Sequence, residues 1–248
     1  MTRNGCEGAW PCWRMSSSHP EPGGHHPLGA EVTARLRAYA AACCGEEGGC
    51  HGPDHAERVH ATALAMGREM GADLAVLSAA ALLHDIGRAE ESRSRGELCH
   101  AAIGAAMAEP FLAGLGLGAA AIATIRHCIA SHRFRDEANR PESLEARILF
   151  DADKLDSLGA IGIGRAFLFA GQVGARLHND ERALADSLAY SLEDTAYREF
   201  RLKLCRLPER MLTPIGRRLA ADRQQYMQDF FSRLDAEICG GISDAEKS

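Results

Sequence analysis

Apolar residues recur at helical spacing along most of the chain from about residue 30 onward. In segment 54–71, for example, Val59, Ala63, Met66 and Met70 fall on one face of a helix. Alternating patterns typical of β-strands are rare, and proline is sparse in the same region. The pattern therefore predicts an all-α fold built as a single helical bundle.

Start and stop signals divide this region into helices. Gly71 is expected to end one helix, and Asp73 to cap the next, DLAVLSAAALLHDIG. That segment is apolar on most faces, which predicts the central buried helix, with Gly87 as its C-terminal stop.

The C-terminal third shows two further patterns. Residues 184–205 and 214–238 are predicted to form two long amphipathic helices, the second capped by Thr213 and opened by Pro214. Their apolar stripes could face the core or a homodimer interface. The glycine-rich segment 161–180 instead predicts a loop with a short helix.

The ends of the chain lack such periodicity. Residues 1–28 are rich in His, Pro, Gly and Ser and have no hydrophobic face, which predicts a disordered extension. The helical domain is expected to cover 29–238, and the polar residues 239–248 to form a flexible tail.

Composition excludes several classes of protein. The net charge of −6 and the absence of a long Lys/Arg run argue against nonspecific nucleic-acid binding. No apolar stretch reaches the about 18 residues of a membrane span, and no signal peptide is evident, so we expect a cytoplasmic protein. The odd number of cysteines, nine, favours reduced thiols. The cluster CCGEEGGCH lacks a CxxC step, which argues against structural zinc.

Metal-ligand residue types are dispersed over the predicted helices. His55, the pair His84-Asp85 and Asp153 would supply two imidazoles and two carboxylates to one divalent ion. Mixed nitrogen and oxygen ligands suit Mn²⁺, Fe²⁺, Co²⁺ or Zn²⁺ better than Mg²⁺, which prefers oxygen. Asp151 competes with Asp153, because positions two apart on a helix point about 200° apart and both cannot readily bind one ion.

Each of these residues alone has a simpler interpretation. A single histidine is more often structural than a ligand, His84-Asp85 could cap a helix end, and Lys154 could form an ordinary surface salt bridge. The hypothesis depends on their occurring together.

Longer strings carry a family resemblance. HGPDHAERV, ALLHDIGR, CHAAIGA and DADKLDSLGAIGIGRAF resemble the HD-domain superfamily of metal-dependent phosphohydrolases, specifically its stand-alone small bacterial branch, over about residues 46–238. The resemblance implies that His55, His84, Asp85 and Asp153 hold the metal. It further implies hydrolysis by a metal-bound water, with Asp85 accepting its proton and Lys154 offsetting charge on the phosphate.

The resemblance also favours a phosphorylated small molecule, most often a nucleotide, as substrate. A nucleoside triphosphate pyrophosphohydrolase and a nucleotidase are both consistent with it. We expect substrate contacts from His127, His132, Arg88 and His51. His100 could cap a helix or face the site, and Asp156 could act as an acid or base.

Two other functions stay open from the sequence. A phosphodiesterase of a signalling nucleotide would be expected to carry an HHExxDG-type motif, which is missing. A non-catalytic nucleotide sensor would be expected to have lost a metal ligand, whereas all four candidates are present.

Overall fold

The computed structural model describes residues 28–43, 52–134, 139–179, 184 and 187–241. Within these ranges the chain forms ten α-helices and no strand, which confirms the all-α prediction. The helices are α1 (Ala30–Cys43), α2 (Pro53–Met70), α3 (Leu74–Leu83), α4 (Arg88–Arg93), α5 (His100–Gly114), α6 (Ala119–Ser131), α7 (Leu144–Leu155), α8 (Gly159–Gln172), α9 (Ala196–Leu202) and α10 (Pro214–Ile238). The predicted extension 1–28 and tail 239–248 fall mostly outside the described residues, so their flexibility stays a prediction.

Helix α3 is the centre of the bundle, as its composition predicts. Nine of its ten residues are buried, and Leu77 and Leu83 are fully inaccessible. It packs against α1, α2, α6 and α7. A helix that is apolar on every side can be stable in water only in such a position.

Several predicted helix ends are confirmed. Gly71 ends α2 in the left-handed conformation (φ +69°), which costs glycine little. Asp73 caps α3 by accepting the N–H groups of Ala75 and Val76. Thr213 accepts the N–H of Gly216 at the start of α10.

The prediction that Gly87 ends α3 is wrong, both in where the helix ends and in why glycine is present. Helix α3 ends at Leu83, and the pair His84-Asp85 lies in the turn between α3 and α4. Gly87 has φ −85°, so its backbone does not require glycine. A Cβ there would lie 2.3 Å from the carbonyl oxygen of His100, so close packing against α5 explains the glycine.

Two predictions for the C-terminal third are wrong in part. Of the glycine-rich segment 161–180, residues 161–172 belong to helix α8, which has 14 residues, and residues 173–179 are not helical, so the helix is longer than the short one predicted. Gly162 lies so close to Ser157 that a Cβ would be 2.2 Å from its carbonyl oxygen. Among the described residues of the predicted helix 184–205, the α-helical ones are those of α9, which has seven residues and is followed by a 3-10 turn at Leu204–Arg206.

Two expectations from the sequence concern membrane-spanning helices and disulfide bonds. Within the described ranges, no helix has both the length and the apolar character needed to cross a bilayer. The five cysteines in the same ranges are free thiols, as expected.

Candidate metal centre

Four buried histidines from different helices meet at one place in the bundle. His55 lies in the first turn of α2, His84 follows the last residue of α3, His100 begins α5 and His132 follows α6. Each is at most 2% exposed. Helix ends therefore bring together side chains that are far apart in the sequence.

Every one of these rings has an oxygen acceptor beside its Nδ1 atom. The acceptors are Asp156 Oδ2 for His55 (2.7 Å), Ala81 O for His84 (2.8 Å), Glu91 Oε2 for His100 (2.7 Å) and Ile129 O for His132 (2.7 Å). An acceptor at Nδ1 favours the tautomer that carries its proton there. All four Nε2 atoms then present lone pairs to the interior of the site.

The Nε2 atoms face other donor atoms at short range. His55 Nε2 lies 3.2 Å from His84 Nε2, 3.4 Å from Asp153 Oδ1 and 3.6 Å from Asp85 Oδ2. Ligand atoms about 2.1 Å from one ion lie about 3.0–3.4 Å from one another. The geometry and the donor types therefore fit a divalent transition metal at this point.

A second group of donors adjoins the first through Asp85. Its Oδ1 atom lies 3.3 Å from His100 Nε2 and 3.5 Å from His132 Nε2, and these two nitrogens are 3.2 Å apart. His84, Asp85 and His132 also form a metal-compatible group, which shares His84 with the group of His55, His84 and Asp153. Asp85 thus offers one oxygen to each group.

Electrostatics favour the metal-binding forms of two of these side chains, His132 and Asp153. Burial lowers the pKa of His132 to about 4, so its ring is neutral. Burial opposes the charge on Asp153, but Lys154 and the contact with His55 outweigh it and hold the carboxyl pKa well below its ordinary value.

His55 differs, because protonation competes with metal binding there. Burial opposes its charge, but the carboxylates of Asp153 and Asp156 outweigh burial and raise its pKa. A proton and a metal ion therefore compete for the Nε2 atom of this ring.

Cationic side chains border the same carboxylates. Lys154 Nζ lies 2.5 Å from Asp153 Oδ2 and also contacts the carbonyl oxygen of His132 at 3.4 Å. Arg88 Nε donates to Asp85 Oδ2 at 2.5 Å. Arg133 pairs with Glu91, the carboxylate behind His100. These groups partly balance the negative charge of the site.

The two aspartates of α7 face different parts of the molecule. Asp151 accepts the backbone N–H groups of Leu212 and Thr213, both at 2.8 Å, and the Thr213 hydroxyl at 2.6 Å. It therefore supports the start of α10. Asp153 faces His55 and His84 instead, which favours Asp153 over Asp151 as the ligand.

The residues predicted to contact the substrate do not all lie at the metal-compatible donors. His132 lies among the metal-compatible donors, and Arg88 lies beside Asp85. His127 Nε2 accepts the backbone N–H of Glu142 at 3.1 Å, and its contact with a substrate stays a prediction. His51 lies outside the described residues.

The sequence does not assign two residues of this group. His100 could equally cap a helix, and Asp156 could act as an acid or base. The available signal was the position of His100 at the start of a helix in CHAAIGA, although spacing alone does not show which way its ring points.

Comparison with known proteins supports the same region. The model of the HD domain family matches residues 54–158, which include α2 from its second residue, α3 to α7 and all the converging side chains. The Bacillus subtilis protein YpgQ is 32% identical over 219 residues, or 86% of this chain and 96% of YpgQ.

Solved structures of relatives share the fold. The crystal structure of B. subtilis YpgQ in complex with ADP has a TM-score of 0.65 at 30% identity, covering 83% of this chain and 97% of that one. A predicted HD superfamily hydrolase from an uncultured Thermotogales bacterium has a TM-score of 0.60 at 26% identity, covering 82% and 91% of the two chains. The chain belongs to the HD domain family, whose members are generally metal-dependent phosphohydrolases.

Proposed function

We propose that this protein is a metal-dependent phosphohydrolase that acts on a nucleotide, as a nucleoside triphosphate pyrophosphohydrolase or a nucleotidase. The observation that carries the proposal is the arrangement of four buried histidines whose Nδ1 atoms all meet acceptors while their Nε2 atoms converge on Asp85 and Asp153. Structural histidines rarely need such a common orientation, whereas metal ligands do.

His55, His84, Asp85 and Asp153 are the proposed ligands of one divalent ion. His100 and His132, with the other oxygen of Asp85, would supply a second position of the same kind. A bound ion would supply electrophilic catalysis and a water of lowered pKa. Mn²⁺, Fe²⁺, Co²⁺ and Zn²⁺ all suit this donor set.

The protein side chains contribute orientation and charge. Both oxygens of Asp85 face cationic or metal-compatible groups, so its contacts favour a role in holding metal over that of the freely accessible base that the resemblance implied. The side chains of Lys154 and Arg88 are 19% and 31% exposed, respectively. Each already contacts a proposed metal ligand. From there they can offset charge on a phosphate next to the metal.

A nucleotide substrate is supported by one comparison. YpgQ, which this chain matches over most of its length, was solved in complex with ADP. A nucleotide with its phosphates at the metal and at Lys154 and Arg88 fits the charge of the site.

The test is a release assay for phosphate and pyrophosphate with Mn²⁺-loaded protein. Ribo- and deoxyribonucleoside mono-, di- and triphosphates are supplied in turn to the wild type, Asp85→Ala and Asp151→Asn. Asp151→Asn is the matched control, because it also alters a buried carboxylate but one that supports α10. We expect turnover by the wild type and the control and none by Asp85→Ala.

The outcomes separate the alternatives. Turnover retained in Asp85→Ala contradicts the proposed centre. Tight Mn²⁺ and nucleotide binding without turnover in the wild type contradicts the enzyme and indicates a nucleotide sensor. Metal analysis of the same samples shows whether one or two ions bind per chain.

A further inference from the structure

Asp156 lies directly behind His55, on the side of the ring away from the metal-compatible donors. Its Oδ2 atom is 2.7 Å from His55 Nδ1, and the residue is 5% exposed. It follows the last residue of α7, three positions beyond Asp153. The end of α7 therefore supplies both a proposed ligand, Asp153, and the hydrogen-bond acceptor of another proposed ligand, His55.

Two arginines hold this carboxylate from neighbouring helices. Arg58, on α2, donates its Nε to Oδ1 at 2.7 Å and its Nη2 to Oδ2 at 3.0 Å. Arg165, on α8, donates to Oδ2 at 2.7 Å. With His55, these donors restrict the carboxylate to one orientation.

The position of His55 explains why a distant acceptor is required. His84 and His132 follow their helices, and each Nδ1 meets the carbonyl oxygen three residues earlier, at Ala81 and Ile129. His55 lies in the first turn of α2, where the carbonyl oxygen three residues earlier, that of Gly52, already accepts the backbone N–H of His55. A carboxylate from another helix fills this place.

We propose that Asp156 is a positioning residue that fixes the tautomer and orientation of His55 and thereby strengthens metal binding. The inference rests on the proposed metal centre but assigns no chemical step to Asp156. By holding the proton on Nδ1, it leaves the Nε2 lone pair for the metal. Arg58 and Arg165 hold the carboxylate in place for this contact.

A purely structural role makes a different prediction. The same ion pairs join α2 and α8 to the end of α7, so loss of Asp156 would lower stability in either case. Only the positioning role predicts a weaker affinity for the metal in protein that is still folded. Metal affinity and the stability of metal-free protein must therefore be measured separately.

The experiment compares Asp156→Ala, Asp156→Asn and Asp151→Asn with the wild type. Mn²⁺ dissociation constants are measured at one pH from the electron paramagnetic resonance of free Mn²⁺, and thermal unfolding is measured on metal-free protein. We expect Asp156→Ala to weaken Mn²⁺ binding about 10–100-fold. Asp156→Asn keeps an acceptor for His55 but turns an amide group toward the arginines, so we expect a loss of about 5-fold or more.

Asp151→Asn is the matched control, because Asp151 is on α7, the helix that Asp156 follows. It should unfold at a lower temperature than the wild type but bind Mn²⁺ within about twofold of it, since its partners are Leu212 and Thr213. High Mn²⁺ concentration should restore most of the turnover of the Asp156 variants, because a positioning residue does not touch the reacting atoms.

Each result decides one question. Wild-type protein that binds no Mn²⁺ overturns the proposed centre itself. If the wild type binds Mn²⁺ and Asp156→Ala binds it within about twofold of that affinity, the positioning role is wrong. Should the alanine variant fail to fold, the same criterion applied to Asp156→Asn decides.

Discussion

Replacement of Gly87 by alanine tests the packing that joins the His84-Asp85 turn to α5. The backbone of Gly87 (φ −85°, ψ −1°) is one that alanine adopts readily, so no conformational strain is expected. The added Cβ would instead lie 2.3 Å from the carbonyl oxygen of His100 and 2.8 Å from the backbone nitrogen of Gly104. Both atoms belong to the backbone of α5 and cannot rotate away.

The magnitude follows from that overlap. The turn and α5 must separate by about 1 Å to restore ordinary contact distances. Overpacking of this kind typically costs about 1–3 kcal/mol, and a clash with two backbone atoms belongs at the upper end. We therefore expect Gly87→Ala to lower the free energy of unfolding by about 2–3 kcal/mol.

The same movement should weaken the metal centre. Asp85 lies two residues before Gly87, and its Oδ1 atom is 3.3 Å from His100 Nε2 at the start of α5. A preorganised site tolerates displacements of about 0.5 Å, so a separation of about 1 Å between these elements exceeds that tolerance. Mn²⁺ affinity should fall together with stability.

Urea unfolding of metal-free protein measures the first effect, and Mn²⁺ titration measures the second. Gly164→Ala is the control, because Gly164 is on α8 and its added Cβ would meet nothing within 4 Å. That variant should gain about 0.5–1 kcal/mol from the higher helix propensity of alanine. Gly87→Ala with the stability and Mn²⁺ affinity of the wild type would refute the packing argument.

Three further predictions concern the metal, α10 and pH. Mn²⁺ at about 100 times its dissociation constant should stabilise the fold by about 2.7 kcal/mol; a melting temperature that does not rise with Mn²⁺ and fall with chelator would count against the centre. Asp151→Ala should lower the free energy of unfolding by about 3 kcal/mol, because it leaves buried N–H groups at the start of α10 without their acceptor; urea unfolding measures this, and wild-type stability would exclude the role. Burial beside Ser78 lowers the pKa of His60, so its neutral form favours the folded state and this stabilisation is lost as pH falls below the ordinary histidine value. Unfolding of metal-free protein between about pH 7.5 and about pH 5.5 should therefore show a smaller pH dependence in His60→Gln than in the wild type, and equal dependence would contradict this.

Much of the helical framework could be predicted because its signals are local. The period of apolar residues, the left-handed stop at Gly71 and the caps at Asp73 and Thr213 each depend on a few neighbouring residues. The same local geometry separates Asp151 from Asp153, since positions two apart on one helix face different ways.

Glycine positions account for the predicted helix stop and loop that the structure does not have, because a glycine in a sequence can have two physical causes. At Gly71 it marks a left-handed backbone, whereas at Gly87 and Gly162 it marks a close approach of another backbone segment. The second cause depends on a neighbour that is distant or on the path of the chain after a turn. Local pattern therefore predicted a helix stop and a loop where the protein has tight packing.

The sequence by itself determined the helical class of the domain, several of its helix ends and the residue types of the candidate metal centre. Only the tertiary structure decided that His100 and His132 join Asp85, that Asp151 supports α10, and that Asp156 lies behind His55. The physical reason is that helix periodicity and capping arise within a few residues. The direction of a side chain at a helix end, in contrast, depends on how α2, α3, α5, α6 and α7 pack around a common core.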